Sequence, residues 1–149
     1  KRFSTKAIEV ERWGDIAEMT KIPNRKKIWS HETVTVHQVL DNETGRPYKD
    51  VVDGSPILWL GDSFSRIYHS TPDRPPHGAG IIAHLAKELN APITSIYNDG
   101  GASTKVRRML YRKVDYLKGK KLVIWEFVER DIRFGEKGWA LESLPQKNL

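Results

Sequence analysis

The chain contains no cysteine. That absence excludes a disulfide framework, a thiol nucleophile and a Cys-based zinc site. It contains no apolar stretch near the ~18 residues a membrane-spanning helix needs. No internal repeat or low-complexity segment is present. No zinc-finger spacing or RNA-recognition signature accompanies the basic residues, so nucleic acid is not the expected partner. The histidines, His31, His37, His69, His77 and His84, show no convincing ligand spacing, so no metal or other cofactor is expected. None follows His84, so this sequence offers no late histidine to pair with a serine. The Gly-x-Ser-x-Gly elbow of a common hydrolase class is missing too. No signal peptide is visible, and the chain starts at a lysine.

What is present is 149 residues with a net charge of +6. That length supports one domain with a real core but not two. The positive balance is either a solvated basic surface or an attraction for polyanions in general: nucleic acid, anionic polysaccharide or an anionic membrane. Short basic clusters occur at Arg25-Lys26-Lys27, Arg107-Arg108 and residues 118–121.

Residues 1–30 are polar with a weak helical pattern in which Trp13, Ile16, Ala17 and Met19 share a face before Pro23. Residues 33–40 alternate, with Val34, Val36 and Gln38 on one side and a more polar face carrying Thr35, His37 and Val39 on the other, which predicts a strand. Residues 41–55 are rich in Asp, Asn, Gly and Pro and read as loop and turn. Strands are predicted at residues 57–62, 92–97 and 122–128. Helices are predicted where Ile81, Ile82, Leu85 and Leu89 recur, and where Val106, Leu110, Val114 and Leu117 recur behind Ser103 as N-cap. Residues 64–80 form a long connection of the kind that is usually functional. The tail from residue 136 has no clear pattern. Strand, helix, strand, helix, strand favours a parallel sheet with helices on its faces, and ligands then bind beyond the carboxyl ends of the strands.

Three polar clusters fall at those ends. Gly61-Asp62-Ser63-Phe64-Ser65 follows the apolar run Ile57-Leu58-Trp59-Leu60. A turn there lifts a serine hydroxyl out of the sheet, so Ser63 is the candidate nucleophile, with Ser65 as the rival hydroxyl. Asn98-Asp99-Gly100-Gly101 offers an amide and close-approaching glycine N–H groups for an oxyanion, or is a plain turn. Trp125 to Asp131 brings Glu126, Glu129, Arg130 and Asp131 to the third strand end, as an ion-pair network or a carboxylate-binding site. His69 and His77 lie in the long loop, which positions a base poorly. His84 sits in a predicted helix, and His37 has no nearby Asp.

The three blocks Leu58-Trp59-Leu60-Gly61-Asp62-Ser63-Phe64-Ser65, Asn98-Asp99-Gly100-Gly101-Ala102-Ser103 and Ile124-Trp125-Glu126-Phe127-Val128-Glu129-Arg130 together resemble the SGNH hydrolase superfamily. More narrowly they look like its alginate O-acetyltransferases. The resemblance covers residues 56–132 well and residues 1–55 loosely, with residues 133–149 as a tail. It implies an α/β three-layer sandwich with a mainly parallel, flavodoxin-like sheet, present whole or as the C-terminal part of a larger domain. It implies Ser63 as catalytic serine and Ser63, Asn98, Gly100 and Gly101 as the oxyanion hole. Tyr68, Arg107, Arg108 and Arg130 would be the substrate contacts. It implies an acetyl donor and an anionic polysaccharide acceptor, partner proteins of an exopolysaccharide machinery, and action in the periplasm. That group carries its Asp-x-His pair well upstream of the serine. None precedes Ser63 here, so the pair is expected in a segment outside this chain. Three other readings stay open. One is an SGNH-type carbohydrate esterase. Another is a polysaccharide-binding module without catalysis. The third is an acyl carrier domain, disfavoured by the basic charge and the strand before the serine.

Overall fold

The computed structural model describes residues 1–14, 17, 19–70, 76–133, 135 and 138–143, without the side chains of residues 25, 26 and 114. Ile57-Leu58-Trp59-Leu60-Gly61 has enough apolar residues to be buried on both faces, and it forms the central strand β3 (Ile57–Gly61) of a parallel sheet. Its neighbours are β4 (Ile93–Tyr97) and β5 (Leu122–Trp125), in the order β4-β3-β5. The register sets Ile57 beside both Ile93 and Leu122.

Strand parity sorts the side chains into two layers. Ile57, Trp59 and Ile93 pack against Ile82, Ala83 and Ala86 of α3 (Ile81–Glu88). Leu58, Leu60 and Ile96 pack against Val106 and Leu110 of α4 (Lys105–Tyr111). The result is helix, sheet, helix, as expected. The predicted periodicity of α3 is right in kind but rotated, because Ile81 and Leu89 face solvent while the small Ala83 and Ala86 let the helix sit close to the sheet.

Before the sheet comes an antiparallel ribbon of β1 (Phe3–Arg12) and β2 (Glu32–Asp41). The expectation of a weak helical pattern at the N-terminus fails over residues 3–12. Ile8 stands opposite Val36 and Val10 opposite Val34, so a sparse alternation becomes a strand once a β-branched partner covers it. Of the predicted helix face at residues 13–19, Trp13 is buried and Met19 exposed, while Ile16 lies outside the described residues. Between the strands, residues Arg25–Ile28 form a single helical turn, α1. The predicted faces of β2 hold, with Val34, Val36 and Gln38 half-buried and Thr35 and His37 exposed, until Val39 turns inward. Phe3, Val39 and Tyr48 anchor the ribbon in the α3 layer of the core.

Two further expectations are corrected. The helix from Val106 ends at Tyr111 and is followed by a separate 3-10 turn at Val114–Leu117. Its N-cap is Thr104, not Ser103. The third strand stops at Trp125, and the last short helix, α5 (Glu129–Arg133), starts soon after. Gly61 and Trp125 therefore end the central and outer strands at nearly the same level, which brings Glu126 to the turn after β3.

Candidate active site

The turn after β3 leads into the single-turn helix α2 (Ser63–Arg66). Asp62 caps it, its Oδ1 accepting from the Phe64 N–H at 2.8 Å. Ser63 is half-buried, and among the described residues its hydroxyl has no hydrogen-bond partner. Ser65 is the opposite. It is 1% exposed, accepts from Trp59 Nε1 at 2.7 Å and donates to Glu126 Oε2 at 2.6 Å. The same Glu126 oxygen accepts the Asp62 N–H at 3.0 Å. Ser65 is thereby tied into the scaffold while Ser63 is left free. Burial holds the Asp62 carboxyl above the usual carboxylate range, and Glu126 pushes it the same way against the Phe64 amide and Arg130.

On the other side of β3, the Asn98 N–H donates to Gly61 O at 3.1 Å, which fixes the turn after β4 against the turn after β3. Arg66 Nη2 and Asp99 Oδ2, 2.6 Å apart, join the two turns again at the surface. Gly100 takes φ +62°, a left-handed conformation that glycine adopts without strain. Gly101 N–H donates to Asn98 O at 3.0 Å and is already spent. The three polar clusters therefore converge, with Ser63, Asn98 and Gly100 the members that keep unspent groups.

The candidate substrate contacts have other duties. Tyr68 OH accepts from Arg12 Nη1 at 2.8 Å, which ties it to the ribbon. Arg107 donates to Ser103 O at 2.6 Å and Ala140 O at 2.9 Å and lies over the Trp125 and Trp139 rings. Arg108 binds Glu142 Oε1 at 2.6 Å. Both arginines hold the tail segment around residues 139–142. Arg130 is exposed on α5.

One constellation escaped the sequence reading. His69 is 3% exposed, and its Nε2 lies 3.1 Å from Asp50 Oδ1. Ser95 Oγ donates to the other oxygen of Asp50. The loop that was expected to hold His69 poorly is strapped down, with Gly78 N–H donating to His69 O at 3.2 Å and Ala79 N–H to Tyr68 O at 2.9 Å. Asp50, His69, Ser70, His77, Ser95 and Tyr97 line a cavity of about 850 Å³. Ser63 is not among its lining residues. Residues 50 and 69 lie in separate loops of no fixed spacing, so no sequence signal joins them. Among the described residues no three His, Asp or Glu groups converge as a metal site, and no helix is long and apolar enough to cross a membrane.

A three-layer α/β sandwich with a serine turn on the central parallel strand and an Asn-Gly turn beside it is an SGNH-like fold. Two solved structures share it. The O-acetyltransferase domain of Pseudomonas putida AlgJ matches with a TM-score of 0.55 and 21% identity, over 86% of this chain and 40% of that one. Pseudomonas aeruginosa AlgX matches with a TM-score of 0.52 and 16% identity, over 85% of this chain and 26% of that one. The chain thus spans less than half the length of either, and at these identities the likeness is one of fold. No family model matches the chain, and no curated protein sequence does.

Proposed function

We propose that this chain carries the serine part of an acetyl-transfer site acting on an acidic exopolysaccharide such as alginate, outside the cytoplasm in the periplasm. The observation that carries the reading is Ser63 itself. It has an unbonded hydroxyl at the carboxyl end of the central strand, flanked by the Asn98 turn and by Glu126. The fold shared with an O-acetyltransferase domain supports it.

In this reading Ser63 Oγ attacks the acetyl carbonyl of a donor ester and gives its proton to a base. The tetrahedral oxyanion is met by the N–H groups of Ser63 and Gly100 and by the Asn98 amide. The donor's oxygen leaves with a proton, and Ser63 keeps the acetyl group. A sugar hydroxyl then attacks this ester and loses its proton to the same base, which passes it to Ser63 Oγ as that oxygen leaves. Each oxyanion donor contributes roughly 2.7–4 kcal/mol in comparable sites. The resemblance assigns the base to an Asp-x-His pair, a pattern that does not occur before Ser63 in this sequence.

The test incubates the intact protein and its Ser63→Ala variant with an acetyl donor, with and without a polyuronate. Acetylated polymer formed only with Ser63 present supports the transferase. Donor hydrolysis that is indifferent to polymer, with no acetylated polymer, overturns it in favour of an esterase.

A further inference from the structure

The serine at the fifth position of the turn, where an ordinary hydrolase elbow has glycine, has a structural partner. We propose that Glu126 is a positioning residue for Ser63, acting as a clamp on both flanks of the nucleophile turn. This inference rests on Ser63 being the nucleophile. A single carboxylate oxygen, Glu126 Oε2, accepts the Asp62 N–H at 3.0 Å and the Ser65 hydroxyl at 2.6 Å. Ser63 lies between those two residues. From the far side Trp59 Nε1, on the strand itself, donates to Ser65 Oγ at 2.7 Å. The turn is thus pinned to the central strand by Trp59 and to the neighbouring strand end by Glu126.

Gly61 is what leaves room for the clamp. A Cβ there would stand 1.9 Å from Ser65 Oγ, 2.7 Å from Trp59 Nε1 and 2.8 Å from Glu126 Oε2. The pattern Gly61-Asp62-Ser63-Phe64-Ser65 therefore reads as space, cap, nucleophile, spacer and link. Glu126 has no place in the proton transfers. It acts by restricting where the Ser63 Cα–Cβ bond points, and near-attack geometry is lost by displacements of about 1 Å. The charged groups around it are the Asp62 carboxyl, which it helps to hold protonated to higher pH, and Arg130, which opposes that effect.

The experiment measures amide hydrogen exchange by NMR, the Asp62 carboxyl titration, and labelling by a fluorophosphonate probe, all on the full chain. The variants are E126A, E126Q and S63A. In E126A the Asp62 amide, whose N–H donates to Glu126, loses protection by about tenfold, the scale of one hydrogen bond of this kind. The Leu58 and Leu60 amides stay as they were. E126Q keeps an acceptor oxygen and recovers most of that protection. Because it removes the charge, it also moves the Asp62 titration to lower pH; the readout specific to positioning is Ser63 labelling, which slows in folded E126A and recovers in E126Q. Unchanged protection at residue 62 in folded E126A overturns the clamp. If E126A does not fold, an unmoved Asp62 titration in E126Q overturns it equally. Labelling that survives in S63A overturns the nucleophile reading instead, and exchange then judges the clamp alone.

Discussion

Replacing Gly61 by alanine tests the turn with one methyl group. The backbone at Gly61 is not left-handed, so alanine is conformationally acceptable and removes some unfolded-state entropy, which favours the variant by about 0.4–1 kcal/mol. Every cost is therefore steric and local. The new Cβ would lie 1.9 Å from Ser65 Oγ, a separation no rotamer adjustment of alanine relieves. The Ser65 hydroxyl has to leave, and Ser65 is 1% exposed, so it has no open space to enter. Its departure strands the buried Trp59 N–H at about 1–3 kcal/mol, and overpacking adds about 1–3 kcal/mol. Net of the entropy gain, about 1–5.5 kcal/mol is lost, or roughly 2–20 °C in Tm for a chain of this size. Urea unfolding of G61A, S65A and the double variant measures it. In S65A the clashing oxygen is gone, so G61A then costs less, with a coupling of at least about 1 kcal/mol. A G61A protein within about 0.5 kcal/mol of the parent, or strict additivity with S65A, would refute the clamp geometry.

Four further outcomes follow from particular contacts. Leu58→Ala, at a fully buried position of the central strand, costs about 2–5 kcal/mol in denaturant unfolding. Tyr48→Phe removes a hydroxyl that donates to Ile93 O at 3.2 Å and accepts Ile93 N–H at 2.9 Å; burial holds that phenol above its ordinary pKa. Stability falls by about 1–3 kcal/mol, read by the same titration. For Asp62 the folded state keeps a proton to higher pH than the unfolded chain, so folding takes up a proton. Its contribution is favourable at low pH and is lost as pH rises from the ordinary carboxylate value, about 4, through the raised one. Asp62→Asn flattens that slope in unfolding measured across this range. Arg107→Ala frees the tail from Ser103 and Ala140, and limited proteolysis then cuts after residue 133 faster than in the parent.

The α/β alternation was legible because the apolar runs of β3 and β4 are dense and the helix periods between them are regular. The ribbon was half legible. β2 carries its own alternation, whereas β1 has Ile8 and Val10 as the apolar residues half-buried on its inner side, beside Arg12 and amid charged residues, and reads as a strand only when Val34 and Val36 stand opposite. The helix after Val106 ended early because its period was read through the break after Tyr111. Ser63 and the Asn98 turn were visible as punctuation at strand ends. The reason for Ser65, and the pairing of Asp50 with His69, were not, since both depend on side chains 61 and 19 residues apart meeting across loops.

The parallel sheet also has a consequence for how the chain is made. β3 is its most apolar strand and the first of the three to leave the ribosome. Its register partner Ile93 comes 36 residues after Ile57, and Leu122 comes 65 residues after it. At synthesis rates of roughly 5–20 residues per second, the central strand waits about 3–13 s for its second neighbour. During that interval Ile57, Leu58, Trp59 and Leu60 form an uncharged sticky segment with open edges. The lysines at positions 118, 120 and 121 emerge together with β5 and flank it as gatekeepers that discourage its pairing with a neighbouring nascent chain.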